Sequence, residues 1–356
     1  MDTPLWIPFV EVLSLRGAKR RSNLDYGLLR FARNDRITEV FMEDAIIMKG
    51  VTKEFKVLNR HEGLKGSLKD LFSRDYKTVT AVDNISINIK AGEIVGYLGP
   101  NGAGKSTTIK MMTGVLEPTR GEILVNGTVP YKNRSCNAEN IGVVFGQRSQ
   151  LWWSLPLIES FKLLKDIYMI PDADYKQMLE LYGSLADIEN LLHKPVRQMS
   201  LGQRTLSDIL AAFLHNPKIV FLDEPTIGLD VAMKAKIREL IKGLNQEKNT
   251  TVILTTHDMG DVDALCQRIV IIDHGSMIYD NDIEHIKHYF GSYRTLRLNL
   301  ADSGWKEIVV DESKTDVMSV ISEYQKNGGI KDISVDDIST EEVIKKIYAQ
   351  AASRSA

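Results

Sequence analysis

Nine consecutive residues carry the most specific chemistry in the sequence: Gly99, Pro100, Asn101, Gly102, Ala103, Gly104, Lys105, Ser106 and Thr107. They fit the spacing GxxxxGK(S/T), with the apolar run IVGYL before them and the helical stretch TTIKMMTGV after. Glycines let the backbone curl so that successive N–H groups face an anion, and the following helix adds its positive end. In such a loop Lys105 reaches the β- and γ-phosphates of a nucleotide, and Ser106 is placed to ligate Mg²⁺.

A second group follows at IVFLDEP, Ile219 to Pro225. Four apolar residues form a buried strand that ends in two carboxylates. Asp223 is the candidate for holding Mg²⁺. Glu224 is the candidate general base, polarising a water for in-line attack on the γ-phosphate. Two further residues stand at strand ends: Gln147, whose amide can reach Mg²⁺ or the attacking water, and His257, which can hydrogen-bond a γ-phosphate. Ser200 precedes a helical stretch, so its hydroxyl and the N–H groups after it form a further anion site.

These groups need a scaffold. Between residues 44 and 283, short β-branched runs alternate with longer helical patterns, which predicts an α/β fold with a largely parallel core sheet. Strands are predicted at Ile94–Leu98, Ile123–Val125, Ile141–Phe145, Ile219–Leu222, Thr251–Thr255 and Ile269–Ile272. Several are continuous apolar runs, as expected where both sheet faces are covered. Residues 151–217 break the alternation and read as helices over Ser154–Tyr168, Asp174–Gly183 and Ser200–His215. Residues 292–356 form a small α+β appendage without a catalytic motif. Its helices are expected over Thr315–Lys326 and Thr340–Ala351, with strands around Leu296–Leu300, Glu307–Val310 and Ile330–Val335.

Composition narrows the function. With 43% hydrophobic and 26% charged residues, the chain is of ordinary globular type. A net charge of −2 gives no global basic balance toward nucleic acid. No apolar run approaches the roughly 18 residues of a bilayer span. Two distant cysteines, Cys136 and Cys266, offer no disulfide framework and read as reduced thiols. The N-terminus lacks the pattern of a secretory signal. Residues 1–41 are arginine-rich without sustained apolar period and resemble translated dispersed-repeat DNA. They are expected to be a weakly ordered extension, with Met42 or Met48 a natural start; the functional alternative is a basic arm touching phospholipid or a partner.

Taken in order, the motifs identify a family. VVFGQRSQ contains Gln147 as a Q-loop, MSLGQ (Met199 to Gln203) matches the signature usually written LSGGQ, LDEPTIGLD contains the D-loop Asp230, and TTHDM places His257 as the switch histidine. Over about residues 44–283 the chain resembles the nucleotide-binding subunit of ATP-binding cassette transporters. The resemblance implies a P-loop NTPase core with a mostly parallel sheet, an antiparallel β subdomain and a helical signature subdomain, here about 151–217. It implies ATP and Mg²⁺ as cofactors, with Ser200, Gly202 and Gln203 binding the γ-phosphate of the nucleotide held by the opposite subunit. One departure is Leu201, where the family has glycine, which puts the close backbone approach there in question. An aromatic residue should stack on adenine. Tyr76, 23 residues ahead of Gly99, fits by spacing and is favoured, while Phe55 in VTKEFKV fits by local context.

Two other segments carry patterns. Arg60 to Lys77 places Leu64, Leu68, Leu71 and Phe72 on one helical face, either an amphipathic helix at a membrane or permease surface, or a solvated helix on its own domain. Gln150 to Ser160 contains Trp152 and Trp153, which either pack the helical insert or line a cleft that receives a permease helix. The expectation is an ATPase subunit at the cytoplasmic face of the membrane. It works with a second ATP-binding subunit, identical or paralogous, and separate transmembrane permease subunits. Related inserts lean the direction toward export. The other reading, a soluble cassette protein acting on ribosomes or nucleic acid, is disfavoured. The chain carries a single cassette, lacks a long coiled coil between Lys105 and Asp223, and is near-neutral in charge.

Overall fold

The computed structural model describes residues 44–58, 76–146, 149–285, 293–301 and 304–355. The expected extension at 1–41, most of the 60–77 segment and Gln147 lie outside the described residues. Tyr76 and Lys77, assigned above to the helical stretch, instead open a strand: they pair with Leu58 and Val57.

In chain order the elements are β1 (Asp44–Leu58), β2 (Tyr76–Lys90), β3 (Ile94–Leu98), α1 (Lys105–Met112), β4 (Arg120–Val125), α2 (Arg134–Asn140) and β5 (Ile141–Phe145). Then come α3 (Leu157–Ile167), α4 (Asp172–Leu185), α5 (Glu189–Leu192), α6 (Leu201–Phe213), β6 (Ile219–Asp223), α7 (Val231–Lys248), β7 (Thr251–Thr255) and α8 (Met259–Leu265). The chain closes with β8 (Arg268–Asp273), β9 (Ser276–Asp282), β10 (Tyr293–Leu300), β11 (Gly304–Asp311), α9 (Val317–Gly328), β12 (Ile330–Asp337) and α10 (Thr340–Ser355).

The central sheet has the order β5-β6-β7-β3-β8-β9. Its strands are parallel except β9, which returns antiparallel beside β8. Period-two alternation divides each inner strand between two cores. Val220 and Leu222 face the helical side, packed with Phe161, Leu210 and Leu240. Ile219 and Phe221 face the other side, packed with Ile46, Ile87 and Met111. Burial on both faces explains why these strands read as unbroken apolar runs. A second sheet, β2-β1-β4, is antiparallel and covers the latter face.

The helical segment between β5 and β6 packs as one body around Phe161 and Tyr182, whose rings meet edge to face at 6.2 Å. The Tyr182 hydroxyl donates to the Leu210 carbonyl at 2.6 Å, satisfying a polar group in a fully buried side chain. A third sheet, β11-β10-β12, is antiparallel and carries α9 over Leu296, Leu298 and Val310. The last helix, α10, leaves that unit. Val343, Ile344 and Ile347 join the large cassette core, and Thr340 donates to Asp263 on α8 at 2.6 Å. Both cysteines are free thiols, Cys136 exposed and Cys266 buried. Among the described residues no helix is long and apolar enough to cross a membrane.

Candidate functional site

Three neighbouring strands of the central sheet, β6, β7 and β3, end at the same edge. The residues after β3 form the phosphate loop, which runs into α1. Gly104 is the helix N-cap in a left-handed conformation, φ 105°. A Cβ there would sit 2.4 Å from the Ala81 carbonyl of β2, so only glycine fits. Lys105 is buried, and its amine donates to the carbonyls of Gly99 (2.5 Å) and Pro100 (3.2 Å). Burial pulls its pKa below the usual lysine range, and the carboxylates of Glu224 and Asp223 oppose that shift. Ser106 is exposed at the start of α1. Thr108 donates back to Gly104 at 3.1 Å, and the Tyr97 hydroxyl braces Thr108 from β3 at 3.3 Å.

Asp223 ends β6, where its Oδ1 accepts from the Thr255 hydroxyl of β7 at 2.5 Å. Glu224 follows in a left-handed conformation, φ 55°, uncommon for a residue with a side chain. Its N–H is held by the Thr255 carbonyl at 2.9 Å and approached by the Thr255 hydroxyl at 3.2 Å. The strained turn aims the carboxyl at His257, whose Nε2 lies 3.1 Å from Oε1. Burial raises the Glu224 pKa, against the opposing pull of His257 and Lys105. The exposed His257 ring and the half-buried Glu224 thus face solvent together at the sheet edge.

The donors present suit Mg²⁺, which takes hard oxygen ligands and keeps several from water and phosphate. Asp223 supplies a half-buried carboxylate and Ser106 a hydroxyl. Among the described residues no group of three or more His, Cys, Asp or Glu forms a metal cage. Gln147 lies outside the described residues. The loop it belongs to leaves β5 at the same edge, since the Gly146 N–H donates to the Asp223 carbonyl at 2.8 Å.

Ser200 caps α6 through a reciprocal capping box with Gln203. The Gln203 N–H donates to Ser200 Oγ, and Gln203 Oε1 accepts from the Ser200 N–H, both at 3.2 Å. Lys194 adds a bond to the same Gln203 oxygen at 2.9 Å. The close approach falls at Gly202, where a Cβ would lie 2.5 Å from Met233 Cγ. Leu201 points outward and is half exposed, so its side chain is accommodated largely in solvent beside Gly228, and the tight approach of the signature falls at Gly202 instead. Asp230 caps α7, accepting from the Met233 N–H at 2.9 Å. Tyr76 and Phe55 are both exposed on the antiparallel sheet. Phe55 pairs with Val79, two residues from Ala81, whereas Tyr76 is five residues away. Trp152 and Trp153 are also exposed.

Sequence reasoning passed over a buried hub. Asp261, fully buried, accepts from Thr226 (2.5 Å), Thr256 (2.8 Å) and Arg238 Nε (2.7 Å). Beside it Asp258 pairs with Lys234 at 2.5 Å and Arg238 at 3.3 Å. Thr226 belongs to the D-loop motif and Thr256 precedes His257, so this network ties the two loops together. Asp208, a carboxylate on the apolar face of α6, was also missed. Its signal was a charged residue amid Leu206, Ile209, Leu210 and Phe213.

Strand, phosphate loop, helix and a neighbouring carboxylate-tipped strand define a P-loop ATPase domain. The ABC transporter family profile matches residues 82–227. The ABC transporter ATP-binding protein NatA of Bacillus subtilis is 33% identical over 215 residues, covering 60% of this chain and 87% of that protein. The ABC transporter A family member 1 of Dictyostelium discoideum is 32% identical over 255 residues, and there the chain spans 29% of the relative's length. The dimeric, post-hydrolysis structure of the ATP-binding cassette MJ0796 bound to ADP and Pi superposes with a TM-score of 0.53 and 27% identity, over 67% of this chain and 98% of that one. The chain belongs to the ABC transporter ATP-binding proteins.

Proposed function

We propose that this chain is the ATP-hydrolysing subunit of a transporter whose membrane-crossing permease is a separate polypeptide, that it works on the cytoplasmic face, and that the direction is export. The carrying observation is the convergence of Lys105, Asp223, Glu224 and His257 at the ends of three adjacent strands. All four groups needed for phosphoryl transfer to water are present there.

In this reading the backbone of residues 99–107 cradles the phosphates. Lys105, now held by two loop carbonyls, offers its amine to the stronger anionic acceptor. Asp223 and Ser106 are the residues that would hold Mg²⁺, which would supply positive charge at the phosphate oxygens; Gln147 would serve the same ion and the attacking water. Glu224 takes the proton of that water, and its raised pKa brings it nearer neutrality as a base. His257 orients Glu224 and the terminal phosphate. Ser200 keeps a hydroxyl proton to donate, since in its cap it acts only as acceptor. With Gly202, Gln203 and Asp230 it serves the nucleotide bound to the second ATP-binding subunit, a copy or a paralogue. The exposed Trp152 and Trp153 supply anchors for the permease. Of the two candidates for adenine, strand register favours Phe55. At about 3.3 Å per residue its partner Val79 is about 7 Å from Ala81, against about 17 Å for Tyr76.

The test uses purified Glu224→Gln protein with and without Mg-ATP, its mass followed by light scattering. An ATP-dependent rise from monomer to dimer, lost in Lys105→Ala, is expected for a homodimer with two shared sites. Hydrolysis by Glu224→Gln at the wild-type rate would remove Glu224 from the assigned role.

A further inference from the structure

Residues 149–153 are joined to α6 by contacts that phosphate chemistry does not require. Asp208, in the middle of α6, is only 6% exposed. Its Oδ1 accepts from the Ser149 hydroxyl at 2.9 Å and from the Gln150 N–H at 3.0 Å. The Gln150 amide nitrogen donates to the Asp208 carbonyl at 3.0 Å. The Leu151 N–H closes the turn onto Ser149 Oγ at 3.2 Å. One helical turn earlier, on the same face, the Arg204 guanidinium lies 4.5 Å from the centre of the Trp153 ring. The Trp153 carbonyl in turn accepts from the Arg197 N–H at 2.9 Å, just ahead of the signature.

A buried carboxylate on an apolar helix face is costly unless it is paired or hydrogen-bonded. Here it is satisfied from one direction, by the loop that carries the tryptophans. The α6 helix then runs rigidly from Asp208 to Ser200, about 12 Å at 1.5 Å per residue. The exposed aromatic corner and the Ser200 helix end are therefore two ends of one connected lever.

We infer that Asp208 and Arg204 clamp residues 149–153 to the signature helix, so that the Trp152–Trp153 corner and Ser200 move as one body, and that Asp208 is a positioning residue for ATP-driven closure. This rests on the transport-ATPase reading above. A load on the tryptophans is passed to the helix end that meets the partner's nucleotide, and closure on nucleotide is passed back to the tryptophans.

The experiment measures kcat and KM for ATP on the full chain, together with tryptophan emission. Trp6→Phe and Trp305→Phe confine the emission to Trp152 and Trp153, and Glu224→Gln is added for the emission arm. Asp208→Ala is expected to lower kcat at least tenfold, to leave KM within threefold because the phosphate loop is untouched, and to abolish the ATP-dependent emission change. Asp208→Asn keeps an acceptor in place and should restore both readouts to within threefold. A wild-type kcat and emission change in Asp208→Ala overturns the clamp; so does an Asn variant as damaged as the Ala one, which would make the charge and not the bonds responsible. If Asp208→Ala does not fold, Ser149→Ala/Gln150→Ala decides from the loop side with α6 intact, and an unchanged kcat there overturns the inference. An unmutated chain without ATPase activity would instead sink the reading on which the inference rests.

Discussion

His257 Nε2 stands 3.1 Å from Glu224 Oε1, although the two residues are held by different strands. The link between them is Thr255: its backbone carbonyl fixes the Glu224 N–H, and its chain continues two residues to His257. The pair is thus positioned by the protein's own backbone.

Removing either member should therefore act on chemistry more than on binding. Glu224→Gln is expected to lower kcat by at least 100-fold with ATP affinity within a few-fold of wild type. His257→Ala should lower kcat tenfold or more, again with a smaller change in KM. Steady-state ATPase assays with a direct nucleotide-binding measurement check both. A large loss of affinity with unchanged turnover would contradict the assigned roles.

Asp261 is buried with Arg238 and two threonine hydroxyls. Asp261→Ala removes the fully buried acceptor of this hub and leaves Arg238 with Asp258 alone, at 3.3 Å, which is expected to cost about 2–3 kcal/mol. Thermal unfolding should show a fall in Tm of roughly 5–10 °C. Thr226→Val, which deletes one donor, should cost about 1 kcal/mol. Equal, negligible effects would show that the hub does not hold the two loops.

Asp208 gives a pH signature of its own. Burial raises its pKa from 3.8 to about 6. Between those values the folded state keeps a proton that the unfolded state releases, so this group's contribution to stability falls as pH rises from about 4 to about 6 and is constant above. Asp208→Asn has no charge to bury. Its stability relative to wild type should improve across that window by at most about 3 kcal/mol. Urea midpoints at pH 4.5 and 7.5 test this, and an identical difference at both pH values would refute it.

The register of β1 on β2 separates the two aromatic candidates. Phe55→Ala is expected to raise the KM for ATP several-fold more than Tyr76→Ala. GTP makes a useful comparison, because a stacking contact tolerates a change of purine. The reverse order of effects would return the adenine contact to Tyr76.

Much of this was legible in the sequence because the relevant signals are local. The six predicted strands of the cassette all formed; five are in the central sheet, where runs covered on both faces leave little ambiguity, and Ile123–Val125 is the end of β4 in the antiparallel sheet. Helix ends moved by up to four residues: the stretch predicted from Ser154 starts at Leu157, after Pro156, and the closing helix predicted to Ala351 runs on to Ser355. The edge strand β9 was not recognised, because SMIYDND is half-buried and partly charged and lacks an apolar run. The phosphate loop, the Asp-Glu pair and the switch histidine were readable as motifs. The partners that hold them were not. Thr255, Arg238 and Asp261 come from separate elements, and only the parallel order β6-β7-β3 brings them beside one another. Leu201 looked like a defect in the signature, but its side chain is half exposed, and the position with no room for a Cβ is Gly202, against Met233 of a separate helix.

The last helix has a consequence for anyone who trims or fuses this chain. Because α10 lends Val343, Ile344 and Ile347 to the core of the cassette and binds Asp263 through Thr340, the three-stranded unit before it is a detour that the chain leaves and then comes home from. Cutting after β9 would strip an apolar cover from α8, the helix that begins two residues past the switch histidine. Excising only residues 293–337 would retain α10 and that cover, at the loss of the contacts α10 receives from Thr295 and Tyr293 of β10. A protein engineer wanting a minimal ATPase should delete the middle and spare the end.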